Sequence, residues 1–285
     1  MRIAVIGSTG QLGTDLLKQL DGDVVPLSHH DIELGSDESV TSCLTAVAPD
    51  VVINTAAYNF VDQAEDEPQV AYEINALGPR RLAQFCAARS ITLVHYSSDY
   101  VFGLSPGQES SWCETDAPGP ENAYAASKLQ GEYFVRSLCP KHFVIRTCGL
   151  YGTAALQGAG KGNFVETMIR LGTERDALNV VNDQRCTPTS TVDLALATMA
   201  LIQTTEFGLY HVTNSGATTW FELAGEIFRR QNLNVQLSPI TTAEFGAKAK
   251  RPACSVLDCR RYESVTGQEL PHWHDALQRY LDSRL

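Results

Sequence analysis

Three residues of this sequence have the types and spacing for acid–base chemistry on a carbonyl group: Ser98, Tyr124 and Lys128. On a helix, Tyr124 and Lys128 lie on the same face, one turn apart. A free tyrosine ionises near pH 10 and a neighbouring ammonium group favours the phenolate, so we expect Lys128 to lower the pKa of Tyr124. The Ser98 hydroxyl would hold the substrate oxygen while charge develops on it. The trio predicts a carbonyl reduction if a cofactor site lies nearby.

A nucleotide-binding turn stands at the start of the sequence. The apolar run at 2–6 predicts a buried strand, and leucines at helical spacing follow from Leu12. Between them, Gly7 permits a tight turn, Gly10 lets backbone N–H groups approach a diphosphate, and Gly13 allows close packing of the helix. The helix N-terminus attracts the negative charge of the diphosphate. This turn therefore predicts a dinucleotide site.

The composition is that of a globular protein, with 44% hydrophobic and 19% charged residues in a chain of 285. The net charge of −11 argues against a nucleic-acid partner, because phosphate backbones require clustered lysine and arginine. The sequence has no leader pattern and no run long enough for a membrane helix, so we expect a cytoplasmic location and no membrane partner. The eight cysteines lack metal-ligand spacing, which predicts reduced thiols and no metal site.

Strand-like and helical patterns alternate through the first half of the sequence, which predicts a doubly wound α/β fold with a parallel sheet, the Rossmann type. The strand-like runs are 2–6, 23–27, 51–54, 91–96 and 143–146. We expect an NAD(P)-binding domain at 1–150 and a smaller α/β substrate-binding domain at 151–285. Segments near 180–203 are expected to pack back on the Rossmann sheet. Polar stretches at 54–57, 97–100 and 147–149 follow three strands, so we expect them to meet in one cleft.

Several motifs occur in a specific order over nearly the whole chain. They lie at 7–13, 31–32, 54–58, 61–65, 97–102, 124–128, 146–147, 162–164, 183–184, 187–189 and 251–252. In this order they resemble the dTDP-4-dehydrorhamnose reductases, a branch of the extended short-chain dehydrogenase/reductase superfamily. The resemblance implies NAD(P)H-dependent reduction of the C4 ketone of dTDP-4-dehydro-L-rhamnose to dTDP-L-rhamnose.

The resemblance also implies roles for individual residues. Tyr124 would protonate the nascent alkoxide, Lys128 would bind the nicotinamide ribose, and Ser98 replaces the threonine that is usual in the family. The implied cofactor contacts are Gly7, Thr9, Gly10, Gln11, Leu12, Gly13, Asp31, Ile32, Ala56, Ala57, Tyr58, Tyr124 and Lys128. The implied substrate contacts are Ser98, Asp99, Tyr100, Asn163, Arg185 and Arg251, with Lys161 as a further basic residue.

Two stretches depart from the family pattern. The usual Arg-Thr-Ser-Trp ends here in Cys148 and Gly149, and the usual Asp-Gln-Tyr-Gly ends in Arg185 and Cys186. We therefore expect no aromatic wall from residue 149, and a charge at Arg185 able to meet a diphosphate. Trp220, on an amphipathic stretch, is expected in the core.

Some choices stay open at this level. The second strand ends without the acidic residue that selects NADH, so NADPH is favoured and NADH remains possible. A homodimer and a dependence on Mg²⁺ are both compatible with the sequence. The alternative functions are a sugar-nucleotide epimerase or dehydratase that retains NAD, and a non-catalytic NADP-binding regulatory subunit like that of methionine adenosyltransferase.

Overall fold

The computed structural model of the chain describes residues 1–104, 107, 109–158 and 162–284, so Lys161 lies outside the described residues. The strands are β1 (Arg2–Ile6), β2 (Asp23–Leu27), β3 (Val51–Asn54), β4 (Thr92–Ser98), β5 (His142–Thr147), β6 (Leu150–Tyr151), β7 (Ala177–Val181), β8 (Arg185–Cys186), β9 (Thr189–Ser190), β10 (Gly208–His211), β11 (Thr218–Thr219) and β12 (Gln236–Ile240). The α-helices are α1 (Gln11–Gln19), α2 (Asp37–Val47), α3 (Pro68–Tyr72), α4 (Gly78–Arg89), α5 (Ala123–Leu138), α6 (Phe164–Glu174), α7 (Thr191–Ile202), α8 (Trp220–Arg230), α9 (Thr242–Phe245), α10 (Arg260–Thr266) and α11 (Trp273–Asp282).

A six-stranded parallel sheet in the order β10-β5-β4-β3-β1-β2 forms the centre of the molecule. The strand order reverses between β1 and β3, which opens a crevice at their carboxyl ends. The predicted doubly wound α/β fold is confirmed. Strand β4 extends beyond the predicted run because Ser97 and Ser98 continue the ladder opposite Arg146 and Thr147. The register therefore brings Ser98 to the same edge as the glycine turn.

Each face of the sheet is covered by helices, which is why its strands are apolar on both sides. On one face, α1 and α7 contribute Leu16 and Leu194 to a buried cluster. On the other face, α2 and α4 contribute Leu44 and Leu82. The sheet is thus held rigidly between two apolar layers, and its carboxyl edge is a firm base for a site.

The C-terminal part of the chain builds a separate apolar cluster. Helices α6, α8 and α11 contribute Val165, Ile227 and Leu277 to it. Strand β7 pairs with β12 in a two-stranded sheet of their own, whereas β10 and α7 join the central layers. Within the described residues, no helix has the length and apolar character to cross a membrane.

Candidate active site

A cleft of about 940 Å³ lies at the carboxyl ends of the central strands and extends to the C-terminal part of the chain. Fourteen of the residues predicted to bind cofactor or substrate line it: Gly7, Thr9, Gly10, Gln11, Leu12, Ile32, Ala56, Ala57, Ser98, Asp99, Tyr100, Tyr124, Lys128 and Asn163. Five others are not in its wall: Gly13, Asp31, Tyr58, Arg185 and Arg251. The glycine turn and the predicted reaction trio therefore share one cavity.

The glycine turn leaves room where a diphosphate must approach the backbone. A side chain at Gly7, which has a φ of +79°, would place its Cβ 2.6 Å from Thr55 Oγ1. At Gly13, a Cβ would lie 2.3 Å from the Gly7 carbonyl oxygen, so this glycine serves helix packing instead of lining the cleft. Helix α1 begins after Gly10 with no side-chain cap and no acidic residue in its first turn. Its N-terminal N–H groups are thus suited to an anion, and the turn fits a dinucleotide diphosphate.

The end of the cleft next to β2 is lined by polar side chains, and Asp31 is not among them. Asp31 accepts hydrogen bonds from the backbone N (2.8 Å) and Oγ (2.7 Å) of Ser28, which lower the pKa of this carboxyl. Ser28, His29 and Glu33 line the cleft here together with Ile32. The carboxylate of Asp31 is thus bound to Ser28, and Ser28 is the residue of this pair that lines the cleft.

The predicted acid, Tyr124, is the second residue of α5, and Ser98 ends β4. Helix α5 starts where it does because Asn122 caps it, its Oδ1 accepting from Ala125 N at 2.7 Å. Both Ser98 and Tyr124 line the cleft. Burial raises the pKa of Tyr124 to about 12, and the nearby Asp99 carboxylate raises it as well, while the hydrogen bond with Ser98 acts in the opposite direction.

Lys128 is a buried residue that lines the same cleft. Its Nζ donates to the Tyr96 carbonyl oxygen at 2.6 Å, and the side chain is 3% exposed. Burial lowers the pKa of Lys128 to about 8, against the opposing charge of Glu132. The expectation that Lys128 brings the pKa of Tyr124 below 10 is therefore corrected for the chain on its own. The reason is that burial of the phenol and the nearby Asp99 charge both raise its pKa.

Asn75 connects two sides of the site. It is fully buried in a π-helical segment, Glu73–Leu77, and π-helical turns often occur at functional sites. Its amide exchanges hydrogen bonds with the backbone of Tyr58 (2.9 and 2.8 Å) and donates to Ser127 Oγ (3.0 Å). Ser127 in turn donates to the Tyr124 carbonyl oxygen. This explains why Tyr58 is oriented by Asn75, with its hydroxyl on Glu67, instead of lining the cleft.

A buried acidic group adjoins the reaction trio. Asp99 is 2% exposed, and burial raises its carboxyl pKa although hydrogen bonds from Cys148, Ser255 and Ser98 oppose this. Burial also raises the pKa of Tyr100, whose ring meets that of Tyr124 edge-on at 6.2 Å between centroids. The carboxyl group of Asp99 is therefore a buried polar group in the cleft wall, next to the reaction trio.

Arg251 and Arg185 do not reach the cleft wall. Arg251 donates to both carboxylate oxygens of Asp62, at 3.1 and 2.8 Å, and its charge also interacts with Tyr100. Arg185 is exposed, and its guanidinium donates to the Glu109 carbonyl oxygen at 3.2 Å. Arg251 is thus linked to the cleft through Tyr100, which lines it, whereas Arg185 lies outside the cleft wall.

Gln11 and Asn163 join the glycine turn to the C-terminal part of the chain. Gln11 Oε1 accepts from Gly152 N and from Asn163 Nδ2, both at 2.9 Å, and its Nε2 donates to the Gly162 carbonyl oxygen. Asn163 Oδ1 also caps α6 by accepting from Glu166 N. Both side chains line the cleft, but their polar atoms serve this bridge.

Aromatic residues that sequence reasoning did not assign to the site also line the cleft. They are Phe60, Phe164 and Trp220. The expectation that Trp220 lies in the core is corrected: it is half-buried, with part of its ring at the cavity. Residue 149 itself contributes no aromatic ring, but the indole of Trp220 borders that glycine. No local signal identified Trp220, since a tryptophan on an amphipathic helix fits a core position equally well.

The described residues contain no group of three or more His, Cys, Asp and Glu side chains placed to hold a metal ion.

Comparisons with known proteins agree with this geometry. The model of the RmlD substrate binding domain family matches residues 1–285. The chain is 38% identical to the dTDP-4-dehydrorhamnose reductase of Streptomyces griseus, with 97% of this chain and 91% of that protein covered. Among solved structures, it resembles the dTDP-4-dehydrorhamnose reductase from Clostridium acetobutylicum (40% identity, TM-score 0.93) and that from Bacillus anthracis in complex with NADP (38%, 0.93), each with 99% of both chains covered.

Proposed function

The chain belongs to the RmlD substrate-binding-domain family, and we propose that it reduces the C4 ketone of dTDP-4-dehydro-L-rhamnose to dTDP-L-rhamnose with NADPH. It is an NADP-dependent oxidoreductase of the dTDP-4-dehydrorhamnose reductase type. One observation supports the mechanism: Ser98 and Tyr124 line the same cleft as the glycine turn.

The cofactor is held by backbone groups. The N–H groups at the start of α1 bind the diphosphate, and Ala56 and Ala57 offer a smooth wall beside it. When bound, the reduced nicotinamide supplies a hydride to C4 of the sugar. Strand β2 ends in Leu27 and is followed by Ser28, His29 and His30 instead of an acidic residue, which supports NADPH over NADH.

The reaction needs a proton donor and a binding site for the developing oxyanion. Ser98 orients the ketone oxygen with its hydroxyl, and Tyr124 gives its proton to that oxygen. Tyr124 holds this proton throughout the neutral range, because its pKa is raised to about 12. Lys128 contributes an amine beneath the phenol and is a partner for the nicotinamide ribose. Asp99 and Tyr100 border the sugar, and Arg251 supports Tyr100 from the rim.

Further assignments accompany this function as proposals. We propose that residues 1–150 bind the cofactor and residues 151–285 bind the sugar nucleotide, with α7 and β10 completing the cofactor-binding layers. A homodimer and a cytoplasmic location stay predictions. Light scattering of the purified chain and fractionation of the source cell test them.

The direct test is an assay with purified protein, NADPH and dTDP-4-dehydro-L-rhamnose. We expect absorbance of NADPH at 340 nm to fall and dTDP-L-rhamnose to form, and Tyr124→Phe to remove this activity while NADP⁺ still binds. Tightly bound NAD⁺ with turnover in the absence of reductant would instead indicate an epimerase or dehydratase. A wild-type chain that binds NADPH, leaves the keto sugar unchanged and copurifies with a partner protein would indicate a regulatory subunit.

A further inference from the structure

Two aromatic side chains form a wall where the cleft meets the C-terminal part of the chain. Phe164 is the first residue of α6 and Trp220 is the first residue of α8. Their ring centroids lie 4.8 Å apart with an interplanar angle of 48°. Both side chains are half-buried: one side packs on the C-terminal apolar cluster and the other borders the cavity. The wall, defined here as Phe164 and Trp220, is thus anchored from behind and open in front.

Gly149 makes room for this wall. Its φ is +52°, and a Cβ at this position would lie 3.1 Å from Trp220 Cη2 and 3.3 Å from Pro188 Cα. A larger side chain at residue 149 would therefore require the indole to move. Because Gly149 has no side chain, the indole of Trp220 can occupy the space beside it.

The position of the indole is close to the reacting groups. Gly149 comes two residues after Thr147, which ends β5 and pairs in register with Ser98. Trp220, Gly149, Ser98 and Tyr124 all line the same cavity. The wall and the two hydroxyls therefore border one ligand-sized space.

We propose that Trp220 is a specificity-determining residue that stacks on the apolar face of the sugar ring, including the C6 methyl group of a 6-deoxy sugar. This inference rests on the proposed function. Aromatic rings gain from contact with such C–H surfaces, and a rigid indole fixes the orientation of what it contacts at little conformational cost. The hydroxyl pair recognises the ketone oxygen, while the indole recognises the non-polar side of the ring.

Ligand binding to the NADP⁺-saturated protein, measured by calorimetry, tests the proposal. The ligands are dTDP-L-rhamnose, which carries the sugar, and dTDP, which lacks it. The variants are Trp220→Ala and Trp220→Phe, with Phe245→Ala as a control because this exposed aromatic ring lies outside the cleft wall. NADP⁺ affinity of each variant, measured first, shows that the fold and the cofactor site are intact.

We expect Trp220→Ala to weaken dTDP-L-rhamnose about tenfold and dTDP less than twofold. Trp220→Phe should fall between Ala and wild type, and Phe245→Ala should match wild type. Equal weakening of both ligands would overturn the proposal, because the indole would then contact the nucleotide. An unchanged affinity for dTDP-L-rhamnose would overturn it too. A wild-type protein that neither binds dTDP-L-rhamnose nor reduces the keto sugar would refute the proposed function itself, so the two failures are distinguishable.

Discussion

Replacing Lys128 with methionine should stabilise the fold at neutral pH while impairing catalysis. Burial lowers the pKa of this amine from 10.5 to about 8. In the unfolded chain the Lys128 amine keeps its proton up to about pH 10.5. Holding the charged amine in the folded state therefore costs about 3 kcal/mol below pH 8. Losing the hydrogen bond from Nζ to the Tyr96 carbonyl oxygen offsets about 1 kcal/mol of this gain. Lys128→Met should therefore raise the free energy of unfolding at pH 7 by about 2 kcal/mol.

The gain from Lys128→Met has a defined pH dependence. Because the folded-state pKa is depressed, the destabilising effect of the lysine is complete below pH 8 and disappears as the pH rises towards 10.5. The advantage of methionine should thus shrink from about 2 kcal/mol at pH 7 to near zero at pH 10. Urea unfolding followed by tryptophan fluorescence at both pH values measures it.

Lys141→Met is the matched control, because Lys141 is exposed on the surface. It should show no gain that depends on pH. The reasoning is refuted if Lys128→Met is equally destabilised at pH 7 and pH 10, since the buried amine would then carry no electrostatic penalty. The same preparation, assayed with NADPH and the keto sugar, should have lost most of its reductase activity.

Other parts of the site lead to further predictions. Tyr124→Phe should lower kcat by roughly 10²–10⁴. Wild-type kcat/KM should fall above about pH 8, because Lys128 loses its proton there. A tyrosinate absorbance that the wild type already shows at pH 8, and that Tyr124→Phe lacks, would contradict the raised pKa of Tyr124. Gly7→Ala should abolish NADPH binding in a fluorescence titration, because the new Cβ has no space, whereas Gly22→Ala, with φ +96° but open surroundings, should bind normally. Asn75→Ala should lower the free energy of unfolding by about 2–3 kcal/mol, as buried partners lose their hydrogen bonds; an unchanged urea midpoint would show that the buried amide is dispensable.

The fold could be predicted because its determinants are local. The β-branched run at β1 is followed directly by the glycines of one tight turn, and the predicted runs 2–6, 23–27 and 51–54 coincide with β1, β2 and β3. The ends of β4 were less accessible, since the polar residues Ser97 and Ser98 belong to the strand only through their partners on β5.

The site was predictable where a motif names the residue and less so where distant segments meet. Ser98, at the end of β4, and Tyr124, at the start of α5, line one cleft, and their roles in the reaction stay a prediction. Trp220 was assigned to the core because nothing near it in the sequence refers to Gly149, and only the packing of α8 brings the two together. Arg185 was assigned to the substrate from its charge alone, and the direction of its side chain depends on the loop at Glu109.

The high pKa of Tyr124 changes how the trio must work. Spacing alone suggested that the lysine makes the tyrosine more acidic, but reduction requires only that the phenol be a stronger acid than the alcohol it creates. An alcohol is a much weaker acid, with a pKa near that of water, so a phenol with a pKa of about 12 still gives up its proton to the nascent alkoxide. The buried Tyr124 therefore begins the reduction in the protonated form that the reaction needs, and Lys128, held on the Tyr96 carbonyl, binds and orients.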